Sequence, residues 1–319
     1  MRILKSLEEI KQLNGSPNAI VLGNFDGVHK GHQQLIRRCV NDSHLNGWES
    51  CALTFDPHPA TVISGGKPVK LINTTEQRYE MISSLGIQNL IVLPFDEELA
   101  ATEPEEFVSK YLFQLIGVAS IYIGFNYSFG KHGAGTPELL KILGKKYGFA
   151  VIVANPVLID NETVSSTLIR AKYAVGSIAS AAGLLGYWPI LEGEVVSGDQ
   201  RGRQIGFSTA NIAIPEYILL PAFGVYAAYA EIIGQDPVQL LPAVLNIGVK
   251  PTFHSTKLTV EVHILDFSGD LYRKRLKVHL REKLRDETFF DSVSKLKQQI
   301  SMDIKKTRDI LKFQEPSSQ

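Results

Sequence analysis

Residues 1–186 are predicted to form an α/β domain on a parallel sheet, and residues 187–319 an antiparallel β domain carrying a C-terminal helix. Three observations lead there. In the first half, short wholly apolar runs alternate with amphipathic segments, the rhythm of a parallel sheet covered on both faces. In the second half, short strand-like runs follow one another with Gly, Pro and Asp turns between them, as in an antiparallel barrel or sandwich. Between the halves lies Gly183–Pro189 (GLLGYWP), a natural boundary after a small-residue helical segment.

Taken in order, the strands expected in the first half are Ile20–Leu22, Cys51–Phe55, Leu90–Pro94, Ser120–Gly124 and Ala150–Val153. Gln33–Cys39, Thr75–Leu85, Pro104–Leu115 and Pro137–Tyr147 are the intervening helical stretches. The opening MRILKSLEEIKQL is charged and helical in period, unlike a signal peptide. Beyond residue 190 the strands expected are Leu191–Val196, Thr209–Ala213, Gly224–Ile233, Val244–Ile247, Leu258–Phe267 and Arg275–Leu280. The tail, Asp291–Phe313, reads as a charged amphipathic helix able to cover them.

Composition narrows the class. A chain of 319 residues favours two domains, and 44% hydrophobic with 21% charged residues is the balance of a soluble globular protein. Basic and acidic residues match at 33 each, so there is no electrostatic footprint for nucleic acid, although a small anion needs only a local site. No apolar run reaches the length of a membrane span. Cys39 and Cys51 make no C-x-x-C pair and suit a reducing cytoplasm, as small buried apolar residues.

The most informative stretch is residues 20–36, IVLGNFDGVHKGHQQLI. An apolar strand runs into a Gly-rich turn and then a helix opening, which gathers backbone N–H groups and the positive helix end at one point. His29 and His32, three apart, lie on one helix face, and Gly31 between them lets a phosphate approach the backbone. Imidazoles aimed at phosphate oxygens suit phosphoryl or nucleotidyl transfer, which depends mainly on positioning and charge stabilisation. A single histidine there would read as an ordinary surface residue; the whole G-x-F-D-x-x-H-x-G-H pattern between strand and helix does not. TFDPHP after Leu53 and GFNYSFG after Ile123 fall at the same carboxyl ends of strands, where such sheets bind ligands.

With GNFDGVHKGH, TFDPHP, GFNYSFG and SSTLIR in the first half, and GRQIGFSTAN, FGVYA, NIGVKPTF, EVHILDF and LRDETFF in the second, the chain resembles the prokaryotic bifunctional riboflavin kinase/FMN adenylyltransferases, or FAD synthetases. The resemblance spans essentially the whole chain, with the motifs in the family's order. It implies a Rossmann-like nucleotidyltransferase domain that moves AMP from ATP to FMN, and a flavokinase-like antiparallel β-barrel that phosphorylates riboflavin.

On that resemblance His29 and His32 would stabilise charge on the α-phosphate of ATP. Gly23, Asn24, Phe25, Asp26 and Gly31 would shape the ATP loop, with Asn126 in a nearby nucleotide loop. Ser165, Ser166, Thr167 and Arg170 match a serine-rich phosphate clamp; residue type agrees, since hydroxyls orient and a guanidinium forks onto phosphate. Taken alone, SSTLIR would be a helix N-cap with a solvated arginine. In the second half there is no G-x-x-x-x-G-K-[ST]. The resemblance instead puts Gly202, Arg203 and Gly206 in an ATP loop, and gives Thr209 and Asn211, both hard oxygen ligands, to Mg²⁺. Glu261 would be the base for the ribityl hydroxyl; from strand period alone it is an outward, solvated carboxylate. Arg285 would sit in a loop closing over the flavin, with Phe289 beside it.

Ser208 stands where the family usually has proline, Asn126-Tyr127-Ser128 replaces a frequent Asp-Phe-Arg, and Tyr272-Arg273 a common Tyr-Gly. His58 reads as a stiffener of a substrate loop and His263 as a hydrogen-bonding barrel residue, since neither has zinc spacing. The partners implied are ATP, riboflavin, FMN and FAD, in the cytoplasm, without nucleic acid or membrane; a homo-oligomer stays open. Three readings compete with the bifunctional one: an adenylyltransferase with a degenerate kinase half, a flavin carrier without turnover, and a nucleotidyltransferase for another phosphorylated acceptor.

Overall fold

The computed structural model describes residues 1–197, 206–251 and 256–312. Two compact units emerge, Met1–Ser166 and Thr167–Gln319, so the helical segment ahead of Gly186 clusters with the second unit, before the expected 186/187 division.

In the first unit, β1 (Arg2–Leu4), β2 (Asn18–Leu22), β3 (Glu49–Asp56), β4 (Asn89–Pro94), β5 (Val118–Gly124) and β6 (Ala150–Ala154) form one sheet in the order β1-β4-β3-β2-β5-β6. Every neighbouring pair is parallel. Successive residues of a strand face opposite ways, and both sides are apolar here. Ile20, Leu22, Cys51 and Leu53 enter one core, while Ala19, Val21 and Ala52 enter another with Leu35, Ile36, Cys39 and Val40 of the helix Lys30–Asn46. Full burial of a side chain such as Ile20 contributes roughly 1.5–3 kcal/mol. The helix stops at Gly47, whose φ of 67° is the left-handed conformation that glycine adopts without strain. A small hairpin, β7 (Leu158–Ile159) with β8 (Glu162–Thr163), closes this unit.

Two expectations need correction here. The opening segment is not helical throughout: Arg2–Leu4 is an edge strand beside β4, followed by the helix Leu7–Lys11. Three residues are too few for periodicity to register, and the strand is fixed by long-range bonds, Arg2 N to the Gln88 carbonyl and Arg2 Nε to Asn89 Oδ1, both 2.8 Å. The expected helix Pro104–Leu115 is one α-helical turn, Pro104–Phe107, running into a π-helix over Val108–Ile116.

In the second unit, the helices Ser166–Ala174 and Ile178–Leu185 lead into β9 (Ile190–Val196), β10 (Ala210–Ala213), β11 (Gly224–Ile232), β12 (Leu240–Pro251), β13 (Thr256–Ile264) and β14 (Arg275–Arg285). These strands close into an antiparallel barrel, β10-β13-β12-β11-β14-β9, which settles the barrel-or-sandwich alternative. β12 outruns its expected Val244–Ile247 core because the β11 ladder extends it back through Pro242 and the β13 ladder carries it on through Gly248. Side chains such as Tyr226, Ala228, Leu245, Val262 and Leu280 fill the interior. The helix Val293–Lys312 lies against the barrel, with Tyr229 donating its hydroxyl to the Leu311 carbonyl at 3.1 Å.

Candidate active sites

Strand order reverses between β2 and β5, the position where open α/β sheets leave a crevice beyond the strand ends. The loop from Gly23 to His29 leaves β2 there. It is strained: Phe25 has φ 52° and Val28 φ 33°, left-handed values that bulky residues avoid, alongside Gly27 at 82°. Phe25 and Val28 are buried in the core with Leu35 and Ile36, so packing holds them in that conformation. A Cβ on Gly23 would come to 3.0 Å from the buried Phe25 ring, which would have to give way. The Asp26 carboxylate accepts the Ile72 amide at 2.8 Å, and Ser166 donates its hydroxyl to the Asp26 carbonyl at 2.9 Å. Arg78, which the sequence reading missed, donates Nη1 to the Asn24 carbonyl at 3.0 Å.

His29 is the N-cap of the helix Lys30–Asn46, its Nδ1 accepting the His32 amide at 3.3 Å. A ring that accepts at Nδ1 carries its neutral-form proton on Nε2, so His29 presents an uncharged donor. His32 stacks on it with centroids 3.6 Å apart and planes 15° from parallel, while the Phe25 ring meets His32 edge-on at 5.4 Å. Gly31 leaves room for this stack: a Cβ there would sit 3.2 Å from the His29 ring, tight enough that the ring would have to shift. His32 Nδ1 is buried without a partner.

Burial holds both imidazoles neutral. It pushes the His29 pKa down to about 4, and burial plus repulsion from His29 pushes His32 well below its ordinary value. One consequence is measurable. Between about 6.5 and about 4 the unfolded chain binds a proton that folded His29 refuses, so stability is complete above 6.5 and is lost as pH falls through that window. Thermal melts at pH 7 and 4.5 should show a smaller acid shift for His29→Asn than for the unsubstituted chain. Equal shifts would mean that His29 already titrates normally.

Asn126 lies in the exposed turn after β5, its Oδ1 3.4 Å from where a Gly124 Cβ would stand. Ser166 reaches the loop through the bond just given, and Ser165 immediately precedes it. Thr167 and Arg170 follow on the helix Ser166–Ala174, Arg170 one turn past Ser166. His58 caps the short helix Pro59–Ile63, its Nδ1 accepting the Ala60 amide at 3.2 Å.

In the barrel, register brings the second group together. Asn211 of β10 lies directly opposite Glu261 of β13, and Glu261 directly opposite Asn246 of β12. Ala210, Ile212, Val260 and Val262 pack into the core, so Asn211 and Glu261 stand on the outer face, as does Thr209, two residues before Asn211. Directly opposed residues have Cβ atoms about 4.5–5.5 Å apart, so the carboxylate is flanked by two amides on one wall. Glu261 is therefore outward, as its period indicated, yet half-buried in a polar row. Asn246 was missed; a polar residue inside the apolar run of β12 was the available signal.

His263 Nδ1 lies 2.7 Å from the Ser208 carbonyl and its ring meets Phe207 edge-on at 5.9 Å. Since a carbonyl only accepts, Nδ1 is the protonated nitrogen, and the histidine pins the turn that leads to Thr209. His263→Ala is expected to raise the ATP KM of the barrel about three- to tenfold, the loss of one hydrogen bond, with His263→Asn recovering part of it. An unchanged KM would make that contact incidental.

Gly206 has φ 91° and is exposed; Gly202 and Arg203 lie outside the described residues. Arg285, expected in a loop, instead ends β14, and Asp303 of the C-terminal helix holds its guanidinium at 2.9–3.2 Å. Phe289 beyond it is 93% exposed. A Cβ on Gly248 would strike the Glu287 carboxylate, so this segment lies against the wall two residues along from Asn246. Among the described residues no three His, Cys, Asp or Glu side chains gather as a metal site. Thr209 and Asn211 offer two neutral oxygens, which fits a cation such as Mg²⁺ that keeps most of its coordination to phosphate and water.

Residues 11–168 match the family model described as FAD synthetase, and residues 185–311 the one described as riboflavin kinase. Fold and sites thus define a two-domain transferase. The chain is 30% identical over 317 residues to the bifunctional riboflavin kinase/FMN adenylyltransferase of Escherichia coli K12, covering 99% of this chain and 100% of that protein. It is 33% identical to the Bacillus subtilis strain 168 protein of the same description, covering 90% of each. The chain belongs to the bifunctional riboflavin kinase/FMN adenylyltransferase family. A solved structure described as a macrolide-efflux protein from Streptococcus pneumoniae superposes with a TM-score of 0.84 at 30% identity, over 97% of this chain and 99% of that one. Among the described residues here, no helix is long and apolar enough to cross a membrane.

Proposed function

We propose that this chain converts riboflavin and ATP to FMN in the barrel, and FMN and ATP to FAD and pyrophosphate in the α/β unit, with the functional division at 186/187. The observation that carries this reading is the coexistence, in one chain, of a stacked histidine pair at a sheet switch point and an Asn211–Glu261–Asn246 row on a barrel wall.

In the first reaction, Glu261 takes the proton of the ribityl 5′-hydroxyl as its oxygen bonds to the γ-phosphorus and ADP leaves. Mg²⁺ supplies charge neutralisation on the phosphates, and Thr209 and Asn211 are the residues that would hold it in the barrel. Arg285 and Phe289 take the flavin, and Gly202, Arg203 and Gly206 the ATP. In the second, an FMN phosphate oxygen bonds to the α-phosphorus while the bond to pyrophosphate breaks. His29 and His32 donate to the phosphate oxygens that gain charge, and Gly23, Asn24, Phe25, Asp26, Gly31, Asn126, Ser165, Ser166, Thr167 and Arg170 hold the rest of the nucleotide. A reducing, cytoplasmic setting accords with Cys39 and Cys51, both free, buried and pushed up to about 12 by that burial.

Incubation of purified protein with riboflavin, ATP and Mg²⁺, with the flavins resolved by chromatography, tests the whole. FMN and FAD together support it. No FMN, but FAD from supplied FMN, points to a degenerate kinase half; bound, unchanged flavin points to a carrier.

A further inference from the structure

We propose that Arg78 is a positioning residue of the adenylylation loop whose charge is balanced by the phosphates of bound nucleotide rather than by a carboxylate of the protein. The proposal rests on the reading of that loop as an ATP site.

Arg78 and Arg281 are the buried arginines among the described residues, 4% and 7% exposed. Arg281 has an internal answer to its charge, lying between the faces of Trp188 and Tyr229 at 4.7 and 5.0 Å. Arg78 has much less. Its guanidinium gives Nη1 to the Asn24 carbonyl and has one ring near it, the Tyr79 centroid at 5.6 Å; its Nε is buried without a hydrogen-bond partner, as is that of Arg281. No carboxylate lies within ion-pair distance of it among the described residues. The neighbouring Tyr79 hydroxyl is buried beside this guanidinium, and burial keeps the phenol protonated, so it supplies no counter-charge. A buried cation without a counter-charge is costly, and an arriving anion relieves that cost.

Position gives this charge its use. The carbonyl it holds belongs to Asn24, immediately before Phe25 with its φ of 52°, in the loop that ends at His29. A left-handed phenylalanine persists only where the surroundings over-determine it. Thr54 Oγ1 makes the other contact to the same carbonyl, at 3.4 Å, long for a hydrogen bond. Release of the Asn24 carbonyl would let Phe25 relax, and with it the edge contact that seats His32 on His29. A single guanidinium thus both shapes the loop and biases it toward a polyanion.

Arg78→Gln keeps a donor for the carbonyl and removes the charge; Arg78→Lys keeps the charge. In the full chain, adenylylation of supplied FMN should give an ATP kcat/KM lowered about 30-fold or more for Arg78→Gln, mostly through KM. Calorimetric titration with inorganic pyrophosphate should show a matching loss of affinity and a flatter salt dependence. Arg78→Lys should keep pyrophosphate affinity within about threefold, and riboflavin phosphorylation should be unchanged in both. Unaltered pyrophosphate affinity in Arg78→Gln, or an equal loss in Arg78→Lys, would overturn the proposal. Parallel loss of kinase activity would also overturn it, as a sign of general unfolding. If the unsubstituted chain makes no FAD, the functional reading fails, while the pyrophosphate titration still decides the role of Arg78.

Discussion

Alanine at His29 or His32 is expected to lower FAD formation from supplied FMN by about 10²–10³-fold while FMN formation from riboflavin stays near its starting rate. The reason lies in how the two rings are prepared. His29 is buried and stacked on His32, and burial disfavours charge on both rings, so under the proposed assignment they would meet the triphosphate as fixed dipoles and not as mobile cations with solvent shells. Charge that builds on the phosphate oxygens during transfer then meets donors already in place, without reorganisation. His29 has a second duty as helix cap, and its loss costs about 0.5–2 kcal/mol of local stability. His29→Asn separates the duties: a capping oxygen returns and thermal stability should recover, yet adenylylation should not. Recovery of activity with the asparagine would reduce His29 to a cap. Equal loss of both activities, with circular dichroism unchanged, would refute the assignment of the pair to one reaction.

Glu261→Gln is expected to do the reverse, stopping FMN formation by about 10²–10⁴-fold while FAD is still made from supplied FMN. Glutamine preserves shape and can donate and accept hydrogen bonds at the position opposite Asn211 and Asn246, so the barrel wall should stay intact. What it removes is the ability to accept a proton. The loss should therefore appear in kcat more than in the KM for riboflavin or ATP. A kinase rate within about twofold of the unsubstituted chain would remove Glu261 as the base.

Much of this was legible in the sequence because it is local. Wholly apolar runs marked β2 to β6, and the one-dimensional spacing of His29, Gly31 and His32 already described a strand–turn–helix corner. Edge strand β1 escaped because three residues carry no period and their pairing partner lies near residue 89. Arg78 escaped for a related reason. In sequence it is one more charged residue in an amphipathic helix, 54 positions from the carbonyl it holds, and only the sheet brings them together. Glu261 shows where strand period stops helping. Alternation assigns it to the outer wall, but whether that wall is bare or functional depends on register, which placed Asn211 and Asn246 on either side. Arg285 was expected in a loop and instead ends β14, since the C-terminal helix that clamps it through Asp303 gives no local cue.

The barrel is a closed cylinder packed with Tyr226, Ala228, Leu245 and Leu280, and the residues proposed to react stand on its outside. Each strand thus answers to two separate demands, one residue at a time: volume within, reactive groups without. Interior positions can therefore exchange one apolar residue for another of like size without disturbing Thr209, Asn211 or Glu261 on the outer wall.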